Sequence, residues 1–247
     1  MDYFTIIISF LSGLCWGSFL NVVSYRITFD KNFWQARSHC PHCNKLIAWH
    51  YNIPILSWCI LKGKCATCKA NISILYPLLE LATGIIFATL AFVYLPDNYH
   101  LFFVYAFFTS ALLCAMRSDL EAMVIPQLFT LYLIPFGVLS AWLGWSEINW
   151  IESIVAACLA YGFLWGIGTL FKRIRKQEGL GIGDAELLAM IGSFLGICKM
   201  WDTLMLGSTL GCIFTLLYLW YYNKGKETRI PFGPFLAIGA LIVFCMR

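Results

Sequence analysis

Eight apolar runs punctuate the chain, near residues 3–25, 73–95, 101–117, 123–144, 150–171, 186–201, 203–222 and 230–246. A helix needs roughly 20 apolar residues to cross the hydrocarbon core of a bilayer, so the pattern predicts about eight transmembrane helices. Polar breaks fall at 96–100, 117–121 and 144–149, in the basic run 172–179, and at 223–228. Only Lys199 and Asp202 separate the sixth run from the seventh. The one long polar stretch is 26–72. The expected fold is therefore an all-α polytopic membrane protein: a first transmembrane helix over 1–25, a small loop domain over 26–72, and a seven-helix membrane core over 73–247. The first run follows Asp2 rather than the basic head of a secretory signal, and reads as a retained helix.

Composition narrows this further. Hydrophobic residues make up 60% of the 247 residues and charged ones 12%, against roughly 45–50% and about 25% in soluble domains. An ordinary soluble enzyme is excluded. Eight crossings would place 15 of the 17 Lys and Arg residues on the face that carries the 26–72 loop. By the positive-inside rule that face is cytoplasmic, with both termini outside. The net charge of +4 is diffuse and gives no reason to expect a nucleic acid partner; the expected surroundings are a lipid bilayer.

The loop holds Cys40-Pro-His-Cys43 and Cys65-Ala-Thr-Cys68, two C-x2-C turns with 21 residues between them. Each such turn aims two sulfurs at one point, and two turns complete a tetrahedral four-thiolate zinc shell. A segment this short buries too little apolar surface to fold alone, so metal binding would supply folding free energy. Two disulfides are the alternative reading, disfavoured in a reducing cytosol. His39, His42 and His50 read as solvated loop residues. The seven remaining cysteines lie in apolar stretches, where free Cys behaves as a small hydrophobe.

Carboxylates in or beside membrane spans are functional suspects, and Glu80, Asp119, Glu121, Asp184 and Glu186 qualify. Asp119 lies in Arg117-Ser118-Asp119-Leu120-Glu121, at the expected start of the fourth span, where Ser118 and Glu121 fit a capping box. Asp184 closes Gly181-Ile182-Gly183-Asp184 and could serve only as a helix cap. Gly181 and Gly183 permit close backbone approach or positive φ, so an extended chain could lie against this carboxylate. Both aspartates fall on the same face of the expected topology, as a paired-carboxylate site requires. Two carboxylates within hydrogen-bonding reach share a proton, which yields a general base and a general acid from one residue type. The base would deprotonate a water attacking a peptide carbonyl, and the acid would protonate the carbonyl oxygen and then the leaving amine. Among the histidines only His100 lies outside the loop, on the opposite face, so no Ser-His or Cys-His arrangement is visible, and H-E-x-x-H is absent. Glu80, inside the second span after Tyr76-Pro77, should be paired or protonated.

In order along the chain, these motifs resemble the type IV prepilin peptidases, membrane aspartic proteases of the GxGD type. The resemblance is carried by Gly17-Ser18-Phe19-Leu20-Asn21-Val22-Val23, the four-cysteine loop with Asn52-Ile53-Pro54 between its turns, Tyr76-Pro77 with Glu80, Asp119 followed by Ile125-Pro126, Gly181-Ile182-Gly183-Asp184, and Pro231-Phe232-Gly233-Pro234-Phe235. It implies a multi-pass protein of the bacterial inner membrane that cleaves prepilins or pseudopilins after the glycine ending a short basic leader, on the cytoplasmic side. It implies Asp119 and Asp184 as the catalytic pair. It also implies methylation of the new N-terminal residue with S-adenosylmethionine, an activity associated with the four-cysteine loop. No Rossmann glycine loop is present, so a methyl-donor pocket would have to be built from the loop and span ends; Asn21, Arg26 and Glu80 are candidates to line it. The zinc would be structural, since four cysteines leave no open coordination position.

Three positions depart from the usual family pattern. Glu186 stands where Lys is frequent, Gln127 where Asp or Asn commonly follows the proline, and Arg26-Ile27-Thr28 where Arg-Leu-Pro is usual. None removes a catalytic group; they bear on substrate preference and pH optimum. Asp119, Glu121, Asp184 and Glu186 together suggest an acidic cluster that meets the basic leader. Two other readings compete: a peptidase lacking methyl transfer, and a proton-coupled transporter. The transporter would place acids deep in several spans, whereas only Glu80 sits at such depth.

Overall fold

The computed structural model describes residues 3–31, 38–40, 42–176, 181–222 and 230–246. Among these, helices account for nearly all regular structure, with only two isolated antiparallel bridges and no strand. The helices are α1 (Tyr3–Thr28), α2 (Leu56–Ile60), α3 (Leu75–Tyr94), α4 (Tyr99–Ala122), α5 (Ile134–Trp142), α6 (Trp150–Arg175), α7 (Ile182–Tyr222) and α8 (Gly233–Cys245). Five of them, α1, α3, α4, α6 and α7, are long and apolar enough to cross a membrane; the segment Gln127–Trp142 and α8 are shorter apolar pieces. The polar run 223–228 and the end of the basic run 172–179 lie outside the described residues.

The chain divides into two compact units, Met1–Cys114 and Ala115–Arg247, with α4 shared between them. In the first, α1 packs along α3. The contact is close because α1 carries a Gly13-x-x-x-Gly17 step: a methyl group on Gly17 would stand 2.8 Å from Glu80 Cα. Small residues let membrane helices approach until backbones touch, where dispersion and polar contacts replace the hydrophobic effect as the source of association. Trp16 Nε1 donates to Ser110 Oγ at 2.9 Å, and Ser24 Oγ to the Cys114 carbonyl at 3.4 Å, tying α1 to the first part of α4.

In the second unit α7 packs against α5, α6 and α8. At 41 residues and ~1.5 Å per residue, α7 would be about 60 Å long if straight, twice a bilayer core of ~30 Å. It is not straight. Gly196 has φ 83°, ψ 178°, a conformation open to glycine and strained for other residues. The Ile197 N–H that this break frees donates to Glu152 Oε1 at 3.3 Å. Contacts with α6 reverse there: Gly192 lies against Ala156, Ser193 O accepts from Ser153 and Ile197 bonds Glu152, after which Trp201 meets Phe163. The break between the sixth and seventh apolar runs thus sits at Gly196, ahead of the polar pair Lys199 and Asp202. Lys199 stays in the helix and pairs with Glu147 at 3.6 Å.

The stretch 117–121 also differs from expectation. It is the end of α4 rather than the start of a new span, so Ser118 and Glu121 form no capping box. Helix α4 runs to Ala122 and closes at Met123, whose φ of 54° ends the helical path while its N–H returns to the Asp119 carbonyl at 2.9 Å. These polar residues remain helical because Arg117, 2% exposed, pairs with Glu121 one turn later at 3.3 Å.

Candidate active site and metal cluster

Asp119 and Asp184 come from opposite helix ends. Asp119 lies in the last turn of α4, 6% exposed, where the carbonyl-rich end of its own helix disfavours a negative charge. Its stabilising partner is another helix: Gly233 N–H, at the N-terminus of α8, donates to Asp119 Oδ2 at 2.9 Å. A methyl group on Gly233 would stand 2.8 Å from that oxygen, so only glycine admits the carboxylate. Asp184 lies in the first turn of α7, its carboxylate accepting the Gly181 N–H and its own N–H donating to the Gly181 carbonyl at 3.2 Å. The two aspartates are close enough for the charge of Asp119 to act on Asp184. Each carboxylate therefore sits at the positive end of a helix, which is where a developing anion is best accommodated.

The two GxGD glycines act through close approach. Neither has positive φ. Gly183 is where the chain meets its own Ile125, whose Cβ would be 3.1 Å from an added methyl, and the Ile125 side chain reaches on to Gly233, 2.9 Å from the corresponding point. Ile125 is thus wedged between the glycine next to Asp184 and the glycine that holds Asp119. Gly181 leaves room for the Asp184 carboxylate, 3.3 Å from where its methyl would be.

The expected acidic cluster is not assembled as four available carboxylates. Glu121 is paired with Arg117. Glu186, 4% exposed, accepts from Gln127 Nε2 and Thr130 Oγ1, both at 3.1 Å. Two of the departures from the family pattern, Glu186 and Gln127, are therefore partners in one hydrogen bond. Sequence assigns no role to Gly233, Ile125 or Thr130, although Ile125-Pro126 and the glycine between the prolines at 231–234 stand in motifs and Gln127 is a departure from the family pattern.

The four cysteine sulfurs of Cys40, Cys43, Cys65 and Cys68 lie within 4.8 Å of one another, and Cys40 Sγ is 3.8 Å from Cys68 Sγ. Around tetrahedral zinc with Zn–S bonds of ~2.3 Å, sulfurs stand about 3.8 Å apart, so the donor set and its spacing fit that ion. The two C-x2-C turns share one geometry 25 residues apart: bridges His39 to Leu46 and Lys64 to Asn71, bonds from Cys40 N to Lys45 O and from Cys65 N to Ala70 O, and positive φ at Asn44 and Lys69. The internal repeat is one of backbone, carried in sequence by little beyond the cysteines. The N–H groups of Cys68 and Thr67 lower the Cys65 thiol to about 6, giving a thiolate at neutral pH. Cys68 accepts the Ala70 N–H, which favours its thiolate, but desolvation and the neighbouring sulfurs outweigh this and push it up to about 11. Cys65 and Cys68 thus differ in their hold on a proton; a bound dication favours the thiolate form of its cysteine ligands.

Beside this cluster, within the first unit, lies a cavity of ≈ 840 Å³. Asn21 and Arg26 from α1 and Glu80 from α3 all line it. Glu80, 8% exposed, accepts the Ile55 N–H at 2.8 Å. Ile55 has φ 61°, ψ −52°, a strained conformation for a β-branched residue that costs about 1–3 kcal/mol, and the hydrogen bond to Glu80 offsets part of that. Asn21 Nδ2 donates to the Tyr76 carbonyl at 3.1 Å, joining α1 to the start of α3.

Fold and site together define an all-α membrane protein with a paired-carboxylate centre in one unit and a four-cysteine cluster in the other. The Bacterial Peptidase A24 N-terminal domain model matches residues 11–94, and the Type IV leader peptidase family model matches residues 106–219. The chain is 35% identical to a prepilin leader peptidase/N-methyltransferase of Aeromonas salmonicida, covering 97% of this chain and 89% of that protein. It is 36% identical to a protein of the same description from Dichelobacter nodosus, over 95% and 89%. A type 4 prepilin-like proteins leader peptide-processing enzyme of Escherichia coli is 29% identical over 98% and 94%. No solved structure matches. The chain belongs to the type IV leader peptidase family and is a membrane enzyme of that family.

Proposed function

We propose that the chain removes the leader peptide of type IV prepilins or pseudopilins by aspartic proteolysis at Asp119 and Asp184, and then N-methylates the exposed residue with S-adenosylmethionine. The observation that carries the peptidase reading is that two aspartates from different helices converge, each anchored by the backbone N–H of a helix N-terminus. One aspartate takes a proton from water as the water oxygen adds to the scissile carbonyl carbon, while the other gives its proton to the carbonyl oxygen. Collapse of the tetrahedral intermediate breaks the C–N bond. The carboxyl that gained the proton passes it to the leaving amine, while a hydroxyl of the intermediate returns its proton to the other aspartate as the carbonyl re-forms. Because both aspartates stay hydrogen-bonded to the backbone, little reorganisation accompanies the reaction.

The proposed topology has the loop and both aspartates on the cytoplasmic side of the bacterial inner membrane, supported by the positive-inside distribution. Eight crossings remain the proposed count. The reversal of α7 along α6 at Gly196 supports it, since the two halves of α7 then join α1, α3, α4, α6, Gln127–Trp142 and α8 as separate apolar segments.

Bound S-adenosylmethionine supplies an electrophilic methyl group for the new amine. The 840 Å³ cavity has the size of ligand pockets, about 300–1,000 Å³, and its lining fits a nucleoside-bearing zwitterion. Arg26 would pair with the donor's carboxylate, Tyr25 and Tyr51 offer aromatic surface to the purine, and Asn21 and Glu80 fix the walls. The four cysteines would hold a structural zinc that keeps the knuckle wall folded. Arg26→Ala is expected to raise the dissociation constant for S-adenosylmethionine about 10-fold or more, read by equilibrium binding to the purified protein. An unchanged constant would remove the donor from this cavity.

The peptidase reading is tested by incubating the protein in detergent with a model prepilin and sequencing the product's N-terminus. Cleavage after the leader glycine is expected; cleavage elsewhere would redirect the assignment.

A further inference from the structure

We propose that Glu186 is a positioning residue for the peptidase centre: its carboxylate clamps the first turn of α7 to the 125–130 segment and so sets both aspartates at once. The proposal rests on the peptidase reading above and adds a residue to it.

Glu186 is two positions beyond Asp184 on the same helix. At 100° per residue the two side chains point about 200° apart, so Glu186 faces away from the aspartate and is no third acid of the pair. It is 4% exposed, and each of its oxygens receives one hydrogen bond, from Gln127 Nε2 and from Thr130 Oγ1. Thr130, fully buried, joins two short 3-10 turns, Gln127–Phe129 and Leu131–Leu133, at φ −129° and ψ −85°. Glu186 holds residues 127–130 at both ends, with one hydrogen bond to Gln127 and one to Thr130.

Two residues before Gln127, Ile125 packs against Gly183 and Gly233. Gly233 in turn holds Asp119 by its N–H. A shift of the 125–130 segment would therefore move the turn bearing Asp184 and the α8 terminus bearing on Asp119 in the same event. A misplacement of about 1 Å in such a pair costs about 100-fold in rate. The loss should appear in the chemical step, because Glu186 is itself buried and acts through the 125–130 segment rather than by meeting the leader.

The test is kcat and KM of the full-length protein in detergent with a model prepilin, for wild type, Glu186→Ala, Glu186→Gln, Gln127→Glu and the reciprocal exchange Gln127→Glu with Glu186→Gln. Glu186→Ala should lower kcat about 30- to 100-fold with KM within about three-fold. Glu186→Gln keeps length and shape, and a flipped Gln127 amide can accept from it, so kcat should recover to within about five-fold of wild type. Gln127→Glu sets two carboxylates against each other and should lower kcat about 100-fold at neutral pH. The exchange restores one carboxylate and one amide and should regain at least about ten-fold of that loss.

A kcat for Glu186→Ala within two-fold of wild type would overturn the proposal. So would Glu186→Gln as impaired as the alanine variant, or an exchange no better than Gln127→Glu alone. If the alanine variant fails to fold, Glu186→Gln and the exchange decide the matter, since a merely space-filling role would not be restored by swapping the two groups. A wild type that cleaves no prepilin would instead defeat the peptidase reading, a result separate from any of these ratios.

Discussion

Replacing either Asp119 or Asp184 by Asn is expected to lower the rate of leader cleavage at least about a thousand-fold, with no further loss when both are replaced. Asparagine keeps the shape of the side chain and an oxygen that accepts the Gly233 or Gly181 N–H, so the anchoring contacts survive. What is lost is proton transfer: an amide neither takes a proton from water nor gives one to the leaving amine. General acid and base catalysis contributes about 10²–10⁴-fold, and groups that act as a unit fail together rather than additively. Single-turnover cleavage of a model prepilin measures the loss. A rate within ten-fold of wild type for either variant would show that the aspartates are structural.

The second large effect is expected from the cysteines. Cys40→Ser combined with Cys65→Ser should abolish zinc retention, counted by elemental analysis of the purified protein, and lower methyl transfer about 100-fold or more, while cleavage falls far less. Segment 38–73 has little apolar interior of its own; its described order consists of two C-x2-C turns, a 3-10 turn and the five-residue α2. In zinc-finger peptides the metal supplies about 10–16 kcal/mol of folding free energy, so its loss should unfold the knuckles that wall the cavity. Every residue of the aspartate centre belongs to the other unit. Equal loss of both activities would contradict this separation of sites. Retention of zinc would contradict the cysteines as its ligands.

The candidate residues are legible where they are written in short-range spacing. Four cysteines in two C-x2-C turns, and an aspartate after Gly181-Ile182-Gly183, need no tertiary information to be noticed. The contacts that surround them are long-range. Gly233 meets Asp119 across 114 positions, and Gln127 meets Glu186 across 59; no periodicity reports such pairs. Closeness in sequence puts Glu186 in one acidic cluster with Asp184, yet helical geometry alone places it on the opposite face.

Two helix boundaries misled for a related reason. Polarity suggested a loop at 117–121, but Arg117 and Glu121 neutralise each other within one turn and the helix continues. Polarity also suggested a break at Lys199 and Asp202, but the backbone breaks at Gly196, where φ is 83° and Glu152 accepts the released N–H. Hydrophobic pattern marks the apolar segments; backbone freedom and hydrogen-bond partners decide where the helices end. The identity of Glu80 as the carboxylate holding the strained Ile55 is of the same kind, since neither its depth in α3 nor its neighbours name a partner in the loop.

The most direct test is the mass of a model prepilin after incubation with the purified, zinc-loaded protein, alone and with S-adenosylmethionine, beside the Asp119→Asn and Asp184→Asn proteins. The account predicts one product beginning immediately after the leader glycine, gaining a methyl group only when the donor is present, and no product from either variant. An untouched substrate with the folded wild type, or full cleavage by either variant, would contradict it.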